Sequence, residues 1–203
     1  MLQKTIKAYI ENELANNPDN QPIGIYKEEK DYAEQHKLVP EQVNLAEKEA
    51  LSRFNNSYIE RVDKETEELI SVEKPEEILQ KKVSFVKTNK KEFLYLESDW
   101  FDIIRIDGLA LEHDDVFGSY KSLLGLKQKK IFGPIIRELL QEKANGESTK
   151  FQLLFNDKDG LWDLNFDCDL VEGFNENISL HAALELIYSF LFKLVNEIEE
   201  NGQ

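Results

Sequence analysis

Trp162-Asp163-Leu164-Asn165-Phe166-Asp167-Cys168-Asp169 alternates strictly between apolar and polar residues, and no other stretch of the chain restricts its own conformation so tightly. A period of two describes a β-strand with one buried and one wet face. The spacing predicts that Trp162, Leu164, Phe166 and Cys168 point into a core, and that Asp163, Asn165, Asp167 and Asp169 point to solvent. A second run, 150–155, reads as its partner strand across the polar turn Asn156-Asp157-Lys158-Asp159-Gly160, which ends in glycine as hairpin turns do. The chain then closes on a helix over about 179–199, capped by Ser179 and apolar nearly all round at its middle. These elements predict an α+β fold that is mostly helical, with a small antiparallel sheet packed against a long C-terminal helix.

Charge is distributed unevenly around this region. Residues 151–203 hold 11 acids and 2 lysines, whereas residues 1–150 hold 29 acids and 23 bases. The net charge of −15 opposes nucleic acid as a partner, because phosphate binding needs clustered Lys and Arg. The same field favours a basic protein partner and speeds its encounter. Asp157, Asp159, Asp163, Asn165, Asp167 and Asp169 are the candidate contacts, since the octapeptide contains no cation. No run approaches the length of a membrane span, and the N-terminus lacks the apolar core of a signal peptide. A single cysteine fits a reducing, cytoplasmic location.

The rest of the chain reads mainly as helix. Helical spacing covers 2–16, the polar run Asn16–Gly24 reads as a loop, and 26–37 reads as a short charged helix. Pro40 suits the first turn of another helix, with Val43, Leu45, Ala46, Ala50, Leu51 and Phe54 on one side. That pattern extends through Tyr58, Ile59, Val62, Thr66, Leu69 and Ile70, with Asn55-Asn56-Ser57 as a kink or a break. Pro75 starts a further helix, Val83 and Phe85 alternate like a strand, and 92–97 reads as a strand. For 99–111 two readings stand: a helix capped by Ser98, or a hairpin turning at Asp107-Gly108. Asp114-Asp115 at a first turn predicts a helix over 114–125. Residues 128–144 predict another, kinked by Pro134 or starting there, and ending at Asn145-Gly146. At 203 residues the chain reads as one domain, in which 1–40 could hang on loosely as a helical appendage.

Catalytic motifs are absent by pattern. The glycines form neither a dinucleotide nor a phosphate-loop signature, and Gly118-Ser119-Tyr120-Lys121 lacks the second glycine of a nucleophile elbow. Aligning Gly160 with the obligatory glycine of a calcium loop puts Phe155 and Phe166 where carboxylates belong. His36, His113 and His181 share no metal-ligand spacing, and Cys168 falls in the buried phase of its strand. No catalytic residue, cofactor or metal is therefore assigned. Same-face residues on a strand lie roughly 6.5–7 Å apart, too far for adjacent ligands of one small ion without convergence from elsewhere.

Phe93-Leu94-Tyr95-Leu96-Glu97-Ser98-Asp99-Trp100-Phe101-Asp102, with Asp115-Val116-Phe117-Gly118 and Gly160-Leu161-Trp162-Asp163-Leu164-Asn165-Phe166, resembles a family of uncharacterised cytosolic proteins of low-GC Gram-positive bacteria. The similarity covers most of the chain past residue 50. Some members are labelled branched-chain amino acid aminotransferases. The residues here do not support that label, since they offer no phosphate cup and no setting for a Schiff-base lysine. The resemblance implies a cytosolic bacterial protein and supplies no mechanism. Two functions follow as expectations: a non-catalytic acidic protein-binding module of immunity, antitoxin or adaptor type; or a small enzyme with a carboxylate-lined site, holding a divalent ion near Asp163/Asp167 or Glu112/Asp114/Asp115. A homodimer through the last helix or a sheet edge is a third arrangement the pattern allows.

Overall fold

The computed structural model describes residues 1–17, 21–40 and 42–202. Its centre is a seven-stranded antiparallel sheet in the order β4-β3-β5-β6-β7-β9-β8, formed by β3 (Tyr58–Asp63), β4 (Leu69–Glu73), β5 (Glu92–Glu97), β6 (Ile106–Asp114), β7 (Ser119–Leu126), β8 (Phe151–Asn156) and β9 (Leu161–Asp167). Near the N-terminus, β1 (Ile23–Ile25) and β2 (Leu45–Glu47) form a separate parallel pair. The helices are α1 (Leu2–Ala15), α2 (Lys27–Gln35), α3 (Pro75–Ile78), α4 (Ser84–Thr88), α5 (Asp99–Ile103), α6 (Gly133–Lys143) and α7 (Leu180–Asn201). The expectation of a mostly helical chain with a small sheet is thus corrected: the protein is α+β, and the sheet is large.

Three turns account for that difference. The helix expected from Pro40 through Ile70 is instead β2, a short 3-10 turn at Ala50–Ser52, and the β3–β4 hairpin. Asp63 Oδ1 accepts the N–H groups of Glu65 and Thr66 (both 2.9 Å), and Glu67 takes a left-handed φ of 57°. The chain reverses there without glycine or proline. The helix expected over 114–125 is a hairpin turn followed by β7. Asp114 Oδ1 accepts from Val116 and Phe117 as a helix cap would, but Gly118, at φ 69°, ends the turn after one cycle. Asp107-Gly108 does not turn; β6 runs through it with a register irregularity, and Ser98 caps α5 just upstream. Val83 and Phe85 lie at α4, in place of the expected strand.

The other elements follow their patterns. The helices over 2–16 and 26–37 form, and Pro134 marks the true start of α6 rather than a kink within it. Asn145 and Gly146, both at positive φ, end that helix. Of the expected loop Asn16–Gly24, residues 18–20 lie outside the described residues, and Ile23 and Gly24 belong to β1. Trp162, Leu164 and Phe166 all enter the core, with the Phe166 and Phe190 rings 5.1 Å apart. Cys168 is buried too, but β9 ends at Asp167 and Cys168–Leu170 form a 3-10 turn.

One core binds these elements. The inward residues of the sheet, among them Ile59, Leu96, Leu109, Leu126 and Leu164, share a single buried cluster with Ile187, Leu191 and Val195 of α7 and with Leu2, Ile6 and Ile10 of α1. None of the exposed large hydrophobic residues lies on α7, so its broad apolar surface is consumed within the chain. No described helix is long and apolar enough to cross a membrane.

A polar cluster links α2 to α7 inside this packing. The fully buried Arg53 side chain donates to Glu29 Oε1 (2.8 Å), Glu28 Oε2 (2.6 Å) and Glu185 Oε2 (3.1 Å), and its guanidinium lies 3.9 Å from the Tyr188 ring centroid. The Tyr188 hydroxyl donates to Glu29. Glu29 Oε2 and Glu185 Oε1 are buried with no partner among the described residues. Three carboxylates face one guanidinium, and burial pushes Glu185 up to about 7 and Glu29 upward.

Candidate functional site

Helices cover one face of the sheet, and the other face is open along its central strands. Paired residues share a face, so the ladder register identifies the outward rows. One row runs Glu60, Tyr95, Ala110, Leu123, Asn165, Gln152 across β3, β5, β6, β7, β9 and β8. The next carries Tyr58 and Glu97 at one end and Gly125, Asp163 and Leu154 at the other. A third contains Glu112, Lys121 and Asp167.

Between the first two rows lies a depression of about 480 Å³, bordered by Tyr95, Asp107, Leu154 and Asp163 and floored by Gly108 and Gly125. Both glycines are needed by their neighbours. A Cβ at Gly108 would stand 2.5 Å from the Tyr95 hydroxyl, and one at Gly125 would stand 2.4 Å from Asp107 Oδ2. Tyr95 can therefore lie across the sheet, and Asp107 Oδ1 can accept the N–H groups of Gly108 (2.9 Å) and Gly125 (2.8 Å).

These two rows are anionic. Glu60 accepts the Tyr58 hydroxyl, Glu97 accepts the Tyr95 hydroxyl at 3.0 Å, and the exposed Asp163 carboxylate has no hydrogen-bond partner among the described residues. Among the described residues, none of Glu60, Glu97, Asp107 or Asp163 has an ion-pair partner. Burial, with the charges of Glu97, Asp107 and Glu60 added to it, pushes the Tyr95 hydroxyl up to about 12. Tyr58 and Leu154, 44% and 56% exposed, supply apolar contact area beside the carboxylates.

The carboxylates expected from sequence separate into two groups. Asp163 and Asn165 lie on this open face, and Asp167 lies on its third row. Asp167 Oδ1 accepts from Ser119 (3.3 Å), and burial raises its pKa against the opposing pull of Lys121. Asp157 pairs with Lys130 (2.6 Å), Asp169 with Lys150 (2.8 Å), and Asp159 accepts from Asn156. Asp169 also lies beyond the end of β9, so it does not continue the stripe. The stripe is free of cations in sequence, and the fold brings Lys121 and Lys150 to its Asp167–Asp169 end.

Glu60, Tyr95, Glu97 and Asp107 carry the site with Asp163, and no single-strand pattern points to them. The alternation of 92–97 is visible, but its shared face with Asp163 depends on strand order. Among the described residues, no three His, Cys, Asp or Glu side chains are placed to hold a metal ion. In the second set named above, Asp114 pairs with Lys121 (2.8 Å), Glu112 with Lys64 (3.2 Å) and Asp115 with Lys90 (3.2 Å). Cys168 is buried beside Ser122, and burial pushes its thiol up to about 12, which keeps it protonated at neutral pH.

Comparison with protein-family models, with characterised proteins and with solved structures finds no match to this chain.

Proposed function

We propose that this protein is a non-catalytic docking module that receives a basic partner protein on the open face of its sheet, in the manner of an immunity protein, antitoxin or adaptor. The observation that carries the reading is a group of four carboxylates, Glu60, Glu97, Asp107 and Asp163, left without lysine or arginine partners among the described residues, of which Asp107 and Asp163 border the small-residue floor and Glu60 and Glu97 lie on the same face beyond it. Asp157, Asp169 and Asp114, by contrast, are each paired with a lysine of the chain itself. Unpaired carboxylates lose less on meeting a cation than carboxylates that must first release one. Tyr58, Tyr95 and Leu154 supply the apolar anchors that concentrate binding energy in such interfaces. The chain's net charge of −15 disfavours nucleic acid in the same role, and the lone buried cysteine fits a cytoplasmic setting.

The test uses octa-arginine as a minimal basic probe, with binding followed by fluorescence anisotropy. Glu97→Lys combined with Asp163→Lys is expected to weaken binding at least ~10-fold, and Glu11→Lys combined with Glu172→Lys by less than ~2-fold. Equal losses from the two pairs would mean that the face has no part beyond the overall charge.

A further inference from the structure

The two borders of the sheet are treated differently. At β8 the Leu153 carbonyl accepts from Arg137 of α6 (3.1 Å), so a helix guards that edge. At the other border β4 pairs only with β3, and its far side meets no strand among the described residues. Natural edges are usually blunted by lysine, proline or a covering element. Leu69-Ile70-Ser71-Val72-Glu73 has no lysine or proline, and Leu69, Ile70 and Val72 are 54%, 45% and 54% exposed. A register irregularity opposite Arg61 and Val62 places both Leu69 and Val72 on the open face, level with Val62 and Glu60.

We infer that β4 is a strand-addition site for an extended, basic segment of a partner protein. Its unpaired backbone groups supply main-chain hydrogen bonds, Leu69 and Val72 supply the apolar contact, and charge selects the occupant. Residues 58–74 contain six acids and three bases. A second copy of this chain would bring the same excess of negative charge to the same edge, so like charges oppose self-pairing; a segment bearing lysine or arginine is attracted. The inference extends beyond docking on the open face, because it uses backbone groups at the border of the sheet rather than the carboxylates around Gly125.

The probe is an octapeptide of alternating Lys and Val, compared with the same peptide N-methylated at every amide. Methylation removes the donors on both edges of the peptide and keeps its charge. Wild type is expected to bind the unmodified peptide at least ~10-fold more tightly than the methylated one. Leu69→Lys combined with Val72→Lys, both exposed positions, is expected to lose at least ~10-fold while melting like wild type. The charge control Glu11→Lys combined with Glu172→Lys is expected to stay within ~2-fold, so the loss at the edge is read apart from overall charge. Equal affinity for the two peptides would overturn the inference. So would a sedimenting dimer that Leu69→Lys/Val72→Lys dissociates, since the edge would then belong to a second copy.

Discussion

Glu185→Gln should remove the pH dependence of stability that the Arg53 cluster imposes through this carboxyl. Glu185 is 12% exposed at its side chain and shares the single guanidinium of Arg53 with Glu28 and Glu29. Its pKa rises from 4.5 to about 7, chiefly through burial, with Arg53 opposing the rise. A carboxyl raised in the folded state holds its proton more tightly there than in the unfolded chain. Its contribution is therefore complete below pH 4.5 and is lost as pH rises through 7. At about 1.4 kcal/mol for each unit, the loss amounts to about 3 kcal/mol between pH 4.5 and pH 8. The amide introduced by Glu185→Gln would be neutral throughout, with its oxygen still able to accept from Arg53 Nε. Urea denaturation at pH 5 should thus find the variant within about 1 kcal/mol of wild type. At pH 8 it should be the more stable protein, by up to about 3 kcal/mol. Titrating groups remote from the Arg53 cluster cancel in the difference between the two proteins. Two parallel stability curves across pH 5–8 would refute the reasoning, since Glu185 would then be ionised in the native cluster at all of them.

Three further outcomes test the packing and the site floor. Tyr188→Phe removes the hydroxyl that Glu29 accepts from, and should destabilise by about 1–3 kcal/mol in urea titration, because Glu29 is fully buried. Leu164→Ala, at a position with 0% exposure on β9, should lower stability by about 2–5 kcal/mol by the same assay. Gly125→Ala would displace Asp107 from its two backbone donors, with an expected loss of about 1–2 kcal/mol and a downfield-to-upfield change in the Gly108 amide resonance.

The sequence discloses those elements whose periodicity is sustained or whose ends are marked. The β8–β9 hairpin has strict alternation along β9 and a glycine in its turn; α7 has a serine cap that the structure uses on the Ala182 N–H. The β6–β7 hairpin reads as a helix from Asp114-Asp115 at a first turn, and the β3–β4 hairpin from apolar spacing that continues from Val43 to Ile70. Asp63 and Asp114 bind the N–H groups two and three residues on, and that bond is common to helix caps and to tight turns. The continuation differs, and it is fixed by pairing with strands far away in sequence, such as β9 beside β7. The candidate site is legible only in part for the same reason. Asp163 can be placed on an outward face from its own strand, but Glu97, Asp107 and Glu60 join it through strand order. Lys130 and Lys150, which neutralise Asp157 and Asp169, come from neighbouring segments that sequence spacing does not connect to them.

Amide chemical-shift mapping addresses the docking surface itself. With octa-arginine added at low salt, the account expects the shifted resonances to cluster at Gly108, Ala110, Gly125, Asp163 and Asn165, and to relax towards their free positions at about 0.5 M salt. Shifts centred instead on Glu147, Asp157 and Asp169, or spread evenly over α1, α2 and α7, would contradict a dedicated anionic face on the open side of the sheet.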